Sequence, residues 1–220
     1  MDTQALWVTL RLASVTTALL LLVSVPLAWW LARGNSAMRT AIRLVTTLPL
    51  VLPPTVLGFY LLVLLGPTTP PGRLLARIFG HPLSFTFSGL VLGSIVYSLP
   101  FAVQPLMLGF AAVPQLMLDT AATLGADRWQ QFRRVALPMS FSSLVSAAAL
   151  VFAHTVGEFG VVLMLGGNIP GATRTLSIAI YDQVQDFNYA AANQTALALI
   201  ALSLIGLFAL DRMRKRALRG

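Results

Sequence analysis

A bundle of about five membrane-spanning α-helices is the fold class that the sequence predicts. Of the 220 residues, 57% are hydrophobic and only 10% are charged, and the mean hydropathy is +0.80. A soluble domain usually carries roughly 25% charged residues to present a wetted surface. We therefore expect lipid to cover this chain, and its length predicts a single domain over residues 1–220. Because the sequence has no cysteine, disulfides and cysteine-ligated metal sites are excluded.

Long apolar stretches separate the charged residues of the chain. A helix needs about 20 apolar residues to cross the hydrocarbon layer, and it satisfies its own backbone hydrogen bonds there. The gaps between charges predict spans near residues 10–32, 44–65, 84–108, 139–165 and 189–210. The uncharged stretch 78–118 has the length for two crossings. Pro100, Pro105 and Pro114 interrupt its second half and favour one crossing.

The arginines and lysines predict the orientation of these spans. With five spans and the N-terminus outside, four basic residues face outward, namely Arg11, Arg73, Arg77 and Arg174. The remaining eleven of the 15 basic residues lie in cytoplasmic segments or in the C-terminal tail, which ends with Arg219. This bias follows the positive-inside rule and places the C-terminus in the cytoplasm. The net charge of +8 thus fits a membrane protein, and no nucleic-acid partner is expected.

Residues 111–138, between the third and fourth spans, are predicted to form a cytoplasmic helical hairpin. Gly125 can adopt the left-handed conformation that ends a helix. Asp127 followed by Gln130 matches a capping box that would begin the next helix. The second helix has an apolar face and a basic face. Such a hairpin either docks a soluble partner or lies on the lipid headgroups, and the periodicity alone does not choose between them.

The spacing of this hairpin resembles the EAA loop of binding-protein-dependent ABC importer permeases. In that family Glu-Ala-Ala is followed after three residues by Gly and after nine more by Ile-x-Leu-Pro. Here Asp119, Thr120 and Val135 are the departures from the pattern. The resemblance implies an all-α permease fold of the MetI-like type, in which this loop forms a coupling helix that sits in a cleft of an ATPase. It assigns that docking role to Asp119, Thr120, Ala121, Gly125, Ala126, Val135, Leu137 and Pro138.

Two further segments resemble the molybdate permeases within that family. They are Leu48–Gly58 and Gly157–Gly160, the second followed by Gly166–Thr175. The resemblance implies a bacterial inner-membrane subunit that imports molybdate or tungstate, with sulfate or another oxyanion as the alternative. It also implies a second copy of the chain, a cytoplasmic ATPase dimer and an extracytoplasmic molybdate-binding protein as partners. The sequence contains no GxxxxGK[ST] motif, so ATP and Mg²⁺ are expected on the ATPase, with no cofactor or enzymatic activity on this chain.

Prolines and two ionisable residues within the spans are candidates for the transport pathway or its gate. Pro53 and Pro54 should kink the second span, either for packing alone or to line a cavity. Glu158 is an acid within the fourth span, and His154 lies four residues earlier on the same helical face. They are interpreted as a structural pair or as a gate. In a different class of protein, a proton-coupled transporter acting without ATP, they would form a proton relay.

The segment 166–188 is predicted to be an external loop. It begins with glycines and then contains a short amphipathic helix over residues 176–185. The helix is either an ordinary surface helix or a partial re-entry that helps to close the outer end of the pathway. Arg174 is the basic residue of this loop that would lie nearest to an arriving anion.

Overall fold

The computed structural model of the protein describes residues 2–217, and these residues form α-helices joined by short turns, with no strand among them. The predicted all-α fold class is confirmed. The basic residue Arg219 of the predicted cytoplasmic tail lies outside the described residues, as do the side chains of Arg214, Lys215 and Arg216.

The helices follow one another along the chain with few residues between them. The first group is α1 (Thr3–Ala32), α2 (Ala37–Thr47), a 3₁₀ turn (Leu48–Leu50), α3 (Pro54–Leu64), α4 (Pro70–Phe79) and α5 (Phe87–Ala111). The second group is α6 (Gln115–Thr123), α7 (Arg128–Gln131), a π-helical stretch (Phe132–Ala136), α8 (Leu137–Met139), α9 (Phe141–Val156), α10 (Gly160–Gly166), α11 (Leu176–Gln185) and α12 (Tyr189–Ala217).

Three of the described helices are long and apolar enough to cross a membrane without a break, namely α1, α5 and residues 189–209 of α12. Two bent pairs of helices supply the remaining candidates, which gives up to five spans. Each predicted span therefore overlaps a long helix or a bent pair, although the bounds differ. Helix α1 begins at Thr3, before the predicted start at residue 10, because the Asp2 side chain accepts a hydrogen bond from the Ala5 N–H and caps the helix.

The second span is a sharply bent pair rather than one kinked helix over 44–65. Residues 37–50 and 54–64 meet at an angle of 112°. Pro53 and Pro54 provide no backbone N–H where the helix would have continued, and the residue before a proline is disfavoured from the helical region. The chain therefore leaves the helix after the 3₁₀ turn and begins α3 with Pro54 at its first position.

The fourth span is broken, and the prediction of a continuous helix over 139–165 is wrong. Helix α9 meets the preceding helical segment at 70°, ends at Val156, and is followed by the non-helical residues 157–159. Gly157 caps the end of α9, where its N–H donates to the Ala153 carbonyl, and α10 begins at Gly160. Glu158 therefore lies in a helix break and not on the face of a continuous helix.

Helix α4 was not predicted, whereas the external helix α11 was. Helix α4 is capped at its start by Thr69, whose hydroxyl accepts from the Gly72 N–H, and at its end by Gly80 in the left-handed conformation (φ 77°). The segment is short and carries Arg73 and Arg77, so it contains no long apolar stretch that would indicate a helix. The predicted helix over residues 176–185 is confirmed by α11.

A hydrophobic core joins the spans to the hairpin between α5 and α9. This core contains Ala28 of α1, Leu106 and Phe110 of α5, Leu118 of α6, Phe132 and Ala136 of the π-helical stretch, and Ala147 of α9. A second core, near the start of α1, joins α1 to α5, α10 and α11. Helix α1 packs against both α5 and α9. The spans and the hairpin thus form one packed unit.

Candidate functional site

The predicted coupling hairpin is a compact turn between α6 and α7, and we call residues 111–138 the coupling segment. Gly125 has φ 85°, a left-handed conformation that favours glycine, and its N–H donates to the Ala122 carbonyl to close α6. The Asp127 carboxylate accepts from the Gln130 N–H at 2.7 Å, and the Gln130 side chain accepts from the Asp127 N–H at 3.3 Å. The predicted glycine turn and capping box are both present.

Three aromatic rings anchor the coupling segment to the membrane spans, and we call them the aromatic triad. The Phe132 ring lies 5.4 Å from Trp29 and 5.9 Å from Phe110, and Trp29 and Phe110 lie 5.5 Å apart, measured between ring centroids. Phe110 is fully buried and Phe132 is 7% exposed. The triad therefore joins α1, α5 and the coupling segment through one edge-to-face and two tilted ring contacts, each of which adds to the burial of apolar area.

The opposite side of the coupling segment is exposed and apolar. Leu124 is 84% exposed, Leu116 75% and Trp129 62%. Large exposed apolar side chains that are rimmed by polar residues mark a protein or membrane contact surface. Of the residues predicted to dock the ATPase, Asp119, Thr120, Gly125 and Pro138 are exposed, and Ala121, Ala126, Val135 and Leu137 are half-buried.

A cavity of about 540 Å³ opens at the break in the fourth span, and we call it the central cavity. Its lining includes Pro54 at the start of α3, Tyr97 of α5, and His154 and Glu158 on either side of the end of α9. Helix α10 approaches α3 closely, because a Cβ at Gly160 would lie 2.6 Å from the Pro54 Cβ. Pro53 lies directly before α3 and is exposed. Pro54 thus lines the same cavity as His154 and Glu158.

Glu158 is buried at 4% exposure and is held by a serine of α5. The Ser94 hydroxyl donates to Glu158 Oε2 at 2.8 Å, whereas Oε1 has no hydrogen-bond partner among the described residues. A buried carboxylate with one unsatisfied oxygen is costly, and such groups concentrate at functional positions.

His154 binds a different serine, so the predicted His154–Glu158 pair is wrong. The His154 Nδ1 lies 2.9 Å from the Ser98 hydroxyl, and its ring stacks on Phe101 with centroids 4.1 Å apart. Pairing across four residues requires a continuous helix, and α9 ends at Val156. Each ionisable group is bonded separately to α5.

Ser94 and Ser98 were not singled out from the sequence. They lie four residues apart on one face of α5, where they reach the end of α9 together. Their spacing of four residues within an apolar span could have indicated a polar contact with another helix, because polar residues in spans face protein rather than lipid. Which residues they face depends on the break after Val156, which the sequence did not reveal.

Arg174 is held between two carboxylates in the external loop. Its Nη2 lies 2.8 Å from Asp182 Oδ2, and its Nε lies 3.8 Å from Asp2 Oδ2. Asp182 also accepts from the Asn168 amide at 2.5 Å. The arginine therefore ties the start of α1 to α11, and its positive charge is compensated locally.

Comparison with known proteins identifies a family, a close relative and two structures of similar fold. Residues 24–219 match the family model described as "Binding-protein-dependent transport system inner membrane component". The molybdenum transport system permease protein ModB of Azotobacter vinelandii is 51% identical over 214 residues, which cover 97% of this chain and 95% of that protein. An inward-facing structure of the MetNI methionine ABC transporter superposes with a TM-score of 0.76 at 19% identity, covering 99% of this chain and 96% of that one.

One structure of similar fold was determined together with a periplasmic protein. The structure of a bacterial alginate ABC transporter with an alginate pentasaccharide-bound periplasmic protein superposes with a TM-score of 0.78 at 18% identity. It covers 97% of this chain and 78% of that one. At these identities the two structural matches show the fold alone, which is that of ABC transporter membrane subunits.

We expect Ser94→Ala to lower the free energy of unfolding by about 1–3 kcal/mol, because the buried Glu158 carboxylate loses its donor. In a Glu158→Leu background the same change should cost much less, since no carboxylate remains to be satisfied. Denaturant unfolding of the purified protein in detergent measures both values.

Ser98→Ala is the matched control for this cycle, since Ser98 bonds His154 and not Glu158. Ser98→Ala should lower the free energy of unfolding by the same amount whether residue 158 is Glu or Leu. An equal cost of Ser94→Ala in both backgrounds would contradict the assigned hydrogen bond.

Proposed function

Because this chain belongs to the family of binding-protein-dependent transport system inner membrane components, we propose that it is the membrane-spanning subunit of an ATP-driven importer of molybdate or tungstate. The observation that supports the substrate class is the 51% identity, over nearly the full length, to a molybdenum transport system permease. The chain is a transport subunit, and ATP and Mg²⁺ are held by a separate ATPase.

The coupling segment supports the assignment of an ATPase partner. Its outer surface carries the exposed Leu116, Leu124 and Trp129, and its inner surface is fixed to the spans by the aromatic triad. A movement of the outer surface, imposed when ATP closes the ATPase dimer, would therefore displace α1 and α5. The pathway would then change the side of the membrane to which it opens.

A second copy of the chain is proposed to complete the pathway. Helix α3 lines the central cavity with its first residues and leaves large apolar side chains exposed further along, among them Phe59, Tyr60 and Val63 at 49%, 64% and 49%. A twofold axis that pairs these faces would cover them and bring two central cavities together. The break at residues 157–159 and the bend before α3 would then lie along a shared path. Broken helices in transporters typically lie at such positions.

The orientation follows from the same proposal. The coupling segment must face the cytoplasm to meet an ATPase, which places the C-terminus inside and the N-terminus outside. The distribution of arginines supports this direction. An extracytoplasmic molybdate-binding protein would then dock on the opposite face, near the turn that Arg174 ties to α11 and the start of α1. Because Arg174 is already paired, it would organise this face rather than attract the anion.

Reconstitution tests the proposed function directly. Proteoliposomes that contain the chain with its ATPase and binding protein should hydrolyse ATP faster when molybdate is added and should accumulate molybdate. Sulfate at equal concentration should stimulate less. An imposed pH gradient without ATP should drive no uptake. Uptake driven by the pH gradient alone would refute the importer, and equal stimulation by sulfate would refute the choice of oxyanion.

Gly125→Val should abolish molybdate uptake while the protein still inserts into the membrane. A β-branched residue resists the left-handed conformation at a cost of about 1–2 kcal/mol, which would displace the docking turn. Gly80→Val is the matched control, because Gly80 has φ 77° and both positions are sterically open. The two variants therefore carry similar strain. Equal uptake by both would show that the turn at Gly125 does not couple the ATPase to transport.

The proposed orientation predicts which introduced cysteines react from outside. Arg73 and Trp129 are both exposed and the chain has no cysteine, so each substitution creates a unique thiol. In intact cells that lack the ATPase, Arg73→Cys should react with a membrane-impermeant maleimide, and Trp129→Cys should react only after permeabilisation. The reverse pattern would invert the topology.

A further inference from the structure

A second cavity, of about 530 Å³, lies where the end of α1 meets the coupling segment. We call it the basic pocket. Its lining includes Trp29, Trp30, Arg33, Arg39, Gln115 and Arg128, and none of its described lining residues is acidic. Three arginines thus converge on one space without a carboxylate among them. The proposed transport cycle assigns no role to this space.

Arg33 is a cation that forms no ion pair with any described residue. Its Nη1 donates to Gln115 Oε1 at 2.9 Å, but its Nε and Nη2 are buried and have no partner among the described residues. Burial lowers the pKa of Arg33, because the charged form has lost water. The nearby Asp119 accepts from the other end of the Gln115 amide at 2.8 Å and does not line the pocket. An anion in the pocket would supply the missing partner.

Tryptophans hold two of the arginines in place. The Arg33 guanidinium lies 4.2 Å from the centroid of the Trp29 ring, and the Arg39 guanidinium lies 5.0 Å from that of Trp30. Such cation–π contacts orient the guanidinium groups before a ligand arrives. Guanidinium groups match the oxygens of a phosphate group in geometry and charge.

The position of the pocket favours a lipid over a soluble anion. Trp29 and Trp30 lie in the last turn of α1, and tryptophans at the end of a span typically meet the lipid headgroups. Leu22 and Val23, seven residues before these tryptophans, are 74% and 55% exposed, so they continue the same helix face into the membrane. An apolar strip thus begins where the basic pocket ends, which suits an acyl chain below a charged headgroup.

We propose that the basic pocket binds the phosphate group of an anionic phospholipid in the leaflet on the coupling-segment side. The headgroup lies between Arg33 at the end of α1, Arg39 in the first turn of α2 and Arg128 at the start of α7. The acyl chains run along Leu22 and Val23. The lipid thereby links the first span to the coupling segment, in addition to the direct contact between Arg33 and Gln115.

Native mass spectrometry of the complex of this chain with its ATPase tests the proposal. Phosphatidylglycerol is titrated into the detergent-solubilised complex, with phosphatidylcholine as the reference lipid. Arg33→Gln together with Arg39→Gln should weaken phosphatidylglycerol binding by about thirtyfold, which corresponds to the loss of two interfacial arginines. Arg39→Gln alone leaves the Arg33–Gln115 hydrogen bond intact and should weaken binding by about fivefold. A double Lys variant, which keeps both charges but not the guanidinium geometry, should bind more tightly than the Gln double variant and more weakly than the wild type.

Arg73→Gln with Arg77→Gln is the matched control, because it removes the same charge from the exposed surface of α4 and should leave binding unchanged. Equal binding of phosphatidylglycerol by the Gln double variant and the wild type would overturn the proposal. So would equal binding of phosphatidylcholine.

Two further binding measurements identify the source of the anion. Complete displacement of phosphatidylglycerol by inorganic phosphate or molybdate would assign the pocket to a soluble oxyanion and overturn the lipid proposal. Lipid binding to the chain alone but not to the complex would show that the ATPase fills the pocket, which also overturns it. Because no transport is measured, a failure of the proposed molybdate import would leave this result unaffected.

Discussion

The aromatic triad is the contact on which the rest of the structure depends. Trp29, Phe110 and Phe132 come from the end of α1, the end of α5 and the coupling segment, and their ring centroids lie 5.4–5.9 Å apart. Protein interiors are packed too densely for one of these rings to shift without the others. The coupling segment is therefore a continuation of the membrane core, even though its outer surface is exposed. A hairpin that only rested on lipid headgroups would lack this anchorage.

Helix α5 connects the triad to the central cavity. Phe110 lies at one end of this helix, and Ser94, which holds Glu158, lies 16 residues earlier, or about 24 Å along the axis. Pro100 and Pro105 lie between them, and each removes one backbone hydrogen bond. Helix α5 thus connects the two sites without a break. The hydrogen bonds missing at the two prolines make it easiest to bend between them. It also presents Ser98 to His154, so both ionisable groups of the cavity are bonded to this one helix.

The sequence predicted the features that depend on local chemistry. The apolar stretches, the Gly125 turn, the Asp127 capping box and the helix over residues 176–185 are all in place, because charge spacing, glycine conformation and capping act over a few residues. The break after Val156 could not be predicted in the same way. The residues around Glu158 are apolar enough for a continuous helix, and the chain departs from it where α10 packs against α3 through Gly160 and Pro54. That contact joins residues about a hundred positions apart.

The same break decides how Glu158 is interpreted. On a continuous helix, His154 would lie one turn away and would share a hydrogen bond or a proton with the carboxylate. In the broken span Glu158 is hydrogen-bonded to Ser94 and His154 to Ser98, and the ring of His154 stacks on Phe101. A relay would need the proton to pass between two separately bonded groups, whereas a gate needs only that α5 and the end of α9 move relative to each other. The geometry of the cavity therefore agrees with coupling through helix movement, which the aromatic triad can deliver, more closely than with proton transfer.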